Sequence, residues 1–246
     1  MPERSMSYHG ATLQLLKIRP RVTPEHQLHV ADAEKRINCP LPPSLREWYA
    51  YSTAIEILAD HSNSDPPIAL QDFAIIEWKG RRLLPLRIEN QGVCTWAAFL
   101  DGSEDPPVVV DVDSEGDHWQ PHAETFSAYV HACVWDFRQV HERSALVQAQ
   151  NQPLTDVAVN ALRKFFPAGP QTEGWPGHTQ FRFDAEMSSI LIWSAEDQAD
   201  WFIGADDAVA LEATLTKVWS LDGLGDSCYD CSPVGKSVLS KLRGRA

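Results

Sequence analysis

The chain has 246 residues, of which 43% are apolar and 22% are charged, and its formal net charge is -13. This composition supplies enough apolar residues for a sizeable core and excludes global disorder. The acidic excess argues against nucleic acid or an anionic membrane as a partner, because clustered Lys and Arg bind both. It favours steering of a basic protein partner instead.

No apolar run approaches the ~20 residues that a membrane helix needs. The first residues also lack the basic and apolar regions of a secretory signal, so we expect a cytoplasmic protein. The 5 cysteines are odd in number and scattered. This pattern indicates reduced thiols rather than a disulfide framework.

Residues 1–22 show no clear period, and we expect a loose N-terminal arm there. A helix start follows at Thr23-Pro24-Glu25, and apolar residues recur at helical spacing up to the proline-rich stretch 39–43. Ser44 precedes a second short helix, and 61–67 reads as a loop. Strands are predicted next, at 83–88, 93–100 and 108–112.

Pro85 lies inside the first of these strands, which predicts an edge position or a bulge. An amphipathic helix is predicted from Phe126 to Val140, after a cap at Thr125. Beyond it, residues 144–153 are expected to lead as a connection into a smaller unit with two or three strands between helices, one of which begins at 204–207. In another helix a single apolar face is predicted to contain Leu154, Val157, Ala158, Ala161 and Phe165.

These elements predict an α+β fold, with a largely antiparallel sheet and packed helices followed by a smaller C-terminal α+β unit. The predicted divisions are an N-terminal arm at 1–22, a first domain at 23–143 and the C-terminal unit at 150–246.

Several short stretches occur in an order that resembles the SUKH superfamily, over residues 25–140. The matching stretches are Glu34–Tyr49, Leu84-Pro85-Leu86, Trp96–Leu100, Asp105–Val109, Trp119 and Phe126–Val130. One departure is Tyr51-Ser52-Thr53, which stands where the family often has Asn-Gly. The resemblance implies helices on an antiparallel sheet, no cofactor, and an immunity protein that neutralises a bacterial toxin. A related branch of the family regulates cell-wall synthesis in fungi.

Three patterns could carry chemistry. The segment 111–116 resembles the start of a calcium loop, but its twelfth position is His122 rather than Glu, so a solvated strand end is favoured. A metal-dependent hydrolase would use Asp117, His118, His122 and Glu124, although a proline-broken loop suits that spacing poorly. Cys228 and Cys231 have zinc or redox spacing without the surrounding context. We therefore predict no catalytic residues, no metal and no cofactor.

Two acidic clusters remain, at 101–117 and 196–212, and neither contains Lys or Arg. Acidic residues around an aromatic side chain suit binding to a basic partner, because the charges speed association and the aromatic ring buries apolar surface in the interface. The predicted partner-binding residues are Asp101, Glu104, Asp105, Asp113, Glu115, Asp117 and Trp119. The favoured hypothesis is a non-catalytic immunity protein that occludes a basic toxin domain. The alternatives are a scaffold in cell-wall regulation and the metal-dependent hydrolase.

Overall fold

A computed structural model describes residues 8–19, 21–62, 64–113, 115–141, 143, 145–174, 177–185 and 187–244. The chain divides into two compact units, the first containing 1–135 with 172–176 and the second containing 136–171 with 177–246. Helices and two antiparallel sheets make this an α+β fold, as predicted. In the described part of the chain, no helix has both the length and the apolar character needed to cross a bilayer.

The first unit is an antiparallel meander with strand order β1-β2-β3-β4-β5. Its strands are β1 (Ile76–Trp78), β2 (Arg81–Ile88), β3 (Thr95–Phe99), β4 (Val108–Asp111) and β5 (Trp119–Ala123). Its helices are α1 (Gly10–Leu16), α2 (Pro24–Arg36), α3 (Pro43–Tyr49), α4 (Ala54–Asp60) and the part of α5 (Phe126–His141) that precedes residue 136.

Local chemistry accounts for several of these boundaries. The Thr23 hydroxyl accepts a hydrogen bond from the backbone N–H of His26 at 3.2 Å, which confirms the predicted start of α2. The register of β2 and β3 shifts between Pro85 and Arg87, so the predicted bulge is present. The shift turns the Arg87 guanidinium over the ring of Trp96, with 4.2 Å from Cζ to the ring centroid.

Both faces of this sheet are covered. The helix side holds the main core, in which Leu84, Trp96 and Val110 pack with the helices. The opposite side, called the outer face below, holds a second buried cluster of Leu83, Ala97, Phe99, Val109 and Trp119. This explains why all four residues of β4 are buried.

The described part of the predicted N-terminal arm is not loose. His9 is fully buried; its Nε2 lies 2.9 Å from the carbonyl oxygen of Ser44, and its backbone N–H donates to Glu47 Oε1 at 3.2 Å. Helix α1 follows it and buries Thr12 and Leu13. The prediction was wrong because a two-turn helix held by a polar anchor has too few residues to show a period.

The second unit has strand order β10-β6-β9-β8-β7, with every neighbouring pair antiparallel. Its strands are β6 (Ala145–Asn151), β7 (Thr179–Ala185), β8 (Ser188–Ser194), β9 (Ala199–Ala205) and β10 (Cys228–Cys231). Its helices, besides the end of α5, are α6 (Asp156–Phe165), α7 (Ala208–Val218), α8 (Leu224–Ser227) and α9 (Pro233–Arg243).

Two predictions for this unit need correction. Residues 145–151, which the sequence presents only as a connection, form the interior strand β6. Helix α6 buries Ala158, Val159 and Leu162, while Val157 is 78% exposed and Phe165 is 49% exposed. The apolar residues of α6 are compatible with two overlapping helix faces. Periodicity alone favoured the face with Val157 and Phe165, whereas the buried face contains Val159 and Leu162.

The boundary between the units also differs from the predicted division at 143–150. It falls between Trp135 and Asp136, inside α5, and residues 172–176 return to the first unit. There Thr172 pairs with Ala123, and the backbone N–H of Glu173 donates to the carbonyl oxygen of His122 at 2.8 Å. This returning segment therefore extends the first sheet beside β5.

Candidate protein-binding surface

The predicted contact acids lie in two connections of the first unit, and Trp119 begins strand β5. Asp101, Glu104 and Asp105 belong to the turn between β3 and β4, whereas the remaining acids belong to the loop at 112–118 between β4 and β5. The two connections adjoin opposite ends of β4. Since β4 has four residues, its length at the usual strand rise is about 13 Å. The acids therefore form two groups rather than the single cluster that the sequence suggests.

The acids of the β3–β4 turn help to hold the fold. Asp101 accepts hydrogen bonds from the backbone N–H and the hydroxyl of Ser103, at 3.0 and 2.6 Å. Asp105 accepts from the backbone N–H and hydroxyl of Ser127, at 3.0 and 2.5 Å, and so satisfies donors at the start of α5. Glu104 accepts from the Tyr8 hydroxyl at 2.9 Å. Glu104 and Asp101 are exposed nonetheless, so they remain available to a partner.

The acidic loop, residues 112–118, is held in shape by its own hydrogen bonds. The buried Asp111 accepts from the backbone N–H of Gly116 through Oδ2 at 2.7 Å, and Asp113 accepts from the backbone N–H of Glu115 at 3.1 Å. Gly116 has φ +86, a conformation that favours glycine. Ser114 lies outside the described residues.

Two indoles attach the acidic loop to the outer face of the sheet. Trp119 Nε1 donates to the carbonyl oxygen of Gly116 at 3.0 Å, and Trp78 Nε1 donates to that of Asp117 at 3.4 Å. Trp119 is 7% exposed, because it packs in the outer-face cluster with Phe99. The Trp119 ring therefore packs beneath the acidic loop and has little exposed surface for contact with a partner.

Asp113, at the start of the loop, interacts with the ionisable side chains of His118 and Asp111. The imidazole of His118 is hydrogen-bonded to Asp113, which lowers the pKa of Asp113 and raises the pKa of His118. Burial raises the pKa of the Asp111 carboxyl, beside the negative charge of Asp113. Asp113, Glu115 and Asp117 are exposed and form the negative side of the loop.

The alternative metal ligands do not come together. His118 is exposed, but His122 is buried, with Nδ1 at 2.7 Å from the carbonyl oxygen of Glu173 and its ring centroid 5.8 Å from that of Tyr129. Among the described residues, no group of three or more His, Cys, Asp and Glu side chains is placed to hold a metal ion. Cys228 and Cys231 lie on strand β10 rather than on a loop, and burial raises the pKa of Cys228 to about 11.

Comparison of the chain with known protein families, with curated proteins and with solved structures found no match. The resemblance of residues 25–140 to the SUKH superfamily therefore stays a prediction from the sequence. In the first unit, helices α2, α3 and α5 and strands β2, β3 and β4 lie where the sequence predicts them, whereas α1, α4, β1 and β5 were not predicted.

Sequence reasoning missed a basic segment on the same unit. The turn between β1 and β2 reads Trp78-Lys79-Gly80-Arg81-Arg82, and Trp78 is half-buried. Lys79 Nζ lies 4.8 Å from the Trp78 ring centroid, and Arg81 Cζ lies 3.5 Å from that of Phe99. The signal was visible as three bases within four residues in an otherwise acidic chain.

Proposed function

We propose that this chain is a cytoplasmic, non-catalytic protein that binds a basic toxin domain and neutralises it by occlusion. Its support from the sequence is the acidic composition and the resemblance of residues 25–140 to a family of immunity proteins. Its support from the structure is the acidic loop, in which Asp113, Glu115 and Asp117 are exposed to solvent and the described backbone is hydrogen-bonded to Asp111 and Asp113.

The ordering of the acidic loop is the observation that carries the proposal. A charged loop that is flexible loses conformational freedom when a partner binds, and this loss weakens binding. Here the bonds from Gly116 to Asp111 and from the two indoles to loop carbonyls hold the backbone at Gly116 and Asp117 before any partner arrives. The carboxylates of Glu115 and Asp117, which flank Gly116 or lie within the held part, can therefore meet a basic surface with little further ordering of that part of the backbone.

Charge also sets the expected kinetics. A net charge of -13 attracts a basic partner over several ångströms, and association steered in this way reaches about 10⁸ M⁻¹s⁻¹ at low salt. The rate should fall steeply as salt is added, since the Debye length shrinks to about 8 Å at physiological ionic strength.

The test is co-expression with the product of an adjacent gene, scored as rescue from growth arrest. The variant reverses three charges of the loop, as Asp113→Lys, Glu115→Lys and Asp117→Lys. A matched control reverses the same number of charges at exposed acids elsewhere in the first unit, namely Asp32, Asp60 and Asp72.

We expect the loop variant to lose protection and to associate more slowly with the purified toxin, while the control variant keeps most of its protection. Equal protection by both variants would show that the acidic loop is not the contact surface. Binding of several host proteins, with no toxin relieved of its activity, would favour the scaffold role in cell-wall regulation instead.

A further inference from the structure

Helix α6 of the second unit leaves an apolar stripe in solvent. The stripe consists of Val157, Ala161 and Phe165, which recur every fourth residue and therefore lie in line along the helix. Val157 and Phe165 are exposed, and Ala161 is half-buried. Single exposed apolar side chains are ordinary on a protein surface, but a line of them on one helix of 10 residues indicates a contact surface.

A polar stripe runs beside the apolar one. Asp156, Asn160 and Lys164 each precede a member of the apolar stripe by one residue, and all three are exposed. Asp156 lies about 12 Å along the helix from Lys164, so the two charges are too far apart to pair within one copy. With the described residues, neither of them forms an ion pair. The polar stripe thus has a negative end and a positive end.

Neighbouring residues extend this separation of charge. At the start of α6, the Asp222 carboxylate accepts hydrogen bonds from the backbone N–H and the hydroxyl of Thr155, both at 3.1 Å. At the other end, Arg163 is exposed in the last turn, and Lys217 Nζ lies 5.4 Å from the ring centroid of Phe166. The surface around α6 is therefore acidic at one end and basic at the other.

Such a surface is complementary to itself in one orientation. When two copies of a helix lie antiparallel about a two-fold axis, the first turn of each meets the last turn of the other. With Ala161 of both copies near the axis, Val157 of each copy lies against Phe165 of the other. The polar stripes then lie side by side, and Asp156 of each copy faces Lys164 of the other. The small Ala161 side chain at the crossing allows the close approach of about 8–10 Å that packed helices require.

We propose that this surface binds a second copy of the chain, in a two-fold symmetric dimer whose α6 helices lie antiparallel. Helix α6 is about 15 Å long, so the helix pair alone buries less than the roughly 1,000 Å² of a long-lived interface. We therefore expect a weak dimer, with a dissociation constant on the order of 100 μM. The proposal does not depend on toxin binding, because it uses α6 rather than the acidic loop.

The test is sedimentation equilibrium of the full chain over a range of concentrations around the expected dissociation constant. The buffer contains about 150 mM salt, at which the Debye length of about 8 Å limits the overall repulsion between two acidic copies. We expect the weight-average mass to rise with concentration from the 27.5 kDa of the monomer towards that of a dimer.

Charge reversal tests the antiparallel arrangement. Asp156→Lys and Lys164→Asp each turn two attractions across the axis into two repulsions, so each should weaken self-association about tenfold. An equimolar mixture of these two variants restores both attractions between unlike copies and should associate about as strongly as the native chain. A chain carrying both changes should also self-associate. Asp32→Lys and Lys236→Asp, at exposed sites on other helices, are the controls and should behave as the native chain does.

A matched pair of valine variants tests the apolar stripe. Val157 is 78% exposed and Val209, on α7, is 77% exposed, so replacing either by Ser should leave the urea midpoint unchanged. Val157→Ser should weaken self-association several-fold, because it removes apolar surface from both sides of the axis. Val209→Ser should have no effect on it.

A native chain that stays monomeric over the whole concentration range would overturn the proposal. So would a mixture of the two charge variants that associates no better than either one alone, or equal effects of Val157→Ser and Val209→Ser. Weaker toxin binding by Val157→Ser, with no self-association of the native chain, would assign α6 to the toxin and overturn it as well. Undiminished self-association of the acidic-loop variant would support the proposal whether or not that variant protects against the toxin.

Discussion

Removing one charge beside the buried Arg182 of the second unit should destabilise that unit strongly. The Arg182 side chain is 1% exposed and donates Nε to Asp136 Oδ1 at 2.7 Å and Nη2 to Asp136 Oδ2 at 2.6 Å. Breaking a buried ion pair by removing one partner costs about 3–5 kcal/mol, because the other charge is left uncompensated. The Asp136 side chain is 32% exposed, so we expect Asp136→Asn to cost about 3 kcal/mol, the lower end of that range.

The ion pair is one part of the Arg182 environment. Nη1 also donates to the carbonyl oxygen of Pro170 at 2.9 Å, and Nη2 donates to Gln180 Oε1 at 2.8 Å. The double variant Arg182→Met with Asp136→Leu removes both charges, but it leaves those two acceptors without these donors. It should therefore recover part of the lost stability rather than all of it.

Urea unfolding followed by far-UV circular dichroism measures the change in the free energy of unfolding. Amide hydrogen exchange on β7 and β8 assigns that change to the second unit, while the amides of β3 and β4 report on the first unit. A loss below about 1 kcal/mol in Asp136→Asn, in the range of surface substitutions, would refute the reasoning. So would a double variant that is less stable than Asp136→Asn alone.

Three further predictions concern the first unit. In an NMR titration the pKa of His118 should lie above about 6.5, and in Asp113→Asn it should return towards 6.5. The reason is that the attraction between the two side chains exists only while the imidazole is charged, and it is lost as pH rises through the raised pKa. An unchanged pKa of His118 in that variant would contradict the pairing. Burial lowers the pKa of His9, so the urea midpoint of this unit should fall as pH drops from about 7.5 to 5.5, and His9→Gln should reduce that dependence. Trp119→Ala should cost about 3–5 kcal/mol in urea unfolding, since the ring is buried; an unchanged stability with weaker partner binding would restore its role as an exposed anchor.

Much of the fold was predictable where apolar residues recur over several turns or strands. Helix α5 was predicted over 126–140 and spans Phe126–His141, and the strand predicted at 108–112 spans Val108–Asp111. Strand β5 was predicted as part of a loop, because Pro121 interrupts the segment and its polar residues Gln120 and His122 give no alternating apolar pattern. It forms a strand because its backbone pairs with β4 and its Trp119 fills the outer face, and neither contact is encoded locally.

The candidate site was predictable in composition and not in geometry. The acids were visible in the sequence, but nothing local showed that Asp105 would satisfy the start of α5 or that Asp111 would be buried. The role of Asp105 depends on Ser127, about twenty positions away, and the burial of Asp111 depends on which residues pack over the end of β4. The stacking of Arg81 on Phe99 likewise joins residues of different strands, so charge counts along the chain could not reveal it.

The segment 172–176 has a practical consequence for dissecting this protein. Thr172 and Glu173 cover the outer edge of β5, and the α-carbon of Gly174 lies so close to the carbonyl of Pro121 that an added Cβ would sit 2.8 Å from its oxygen. A fragment ending near residue 143 would lack this cover and expose a bare strand edge, which invites aggregation. A fragment that ends just after residue 174 would instead leave β6, an interior strand of the second sheet, without its partners β9 and β10. Fragments designed for expression should therefore keep both units, because the chain enters the first unit twice.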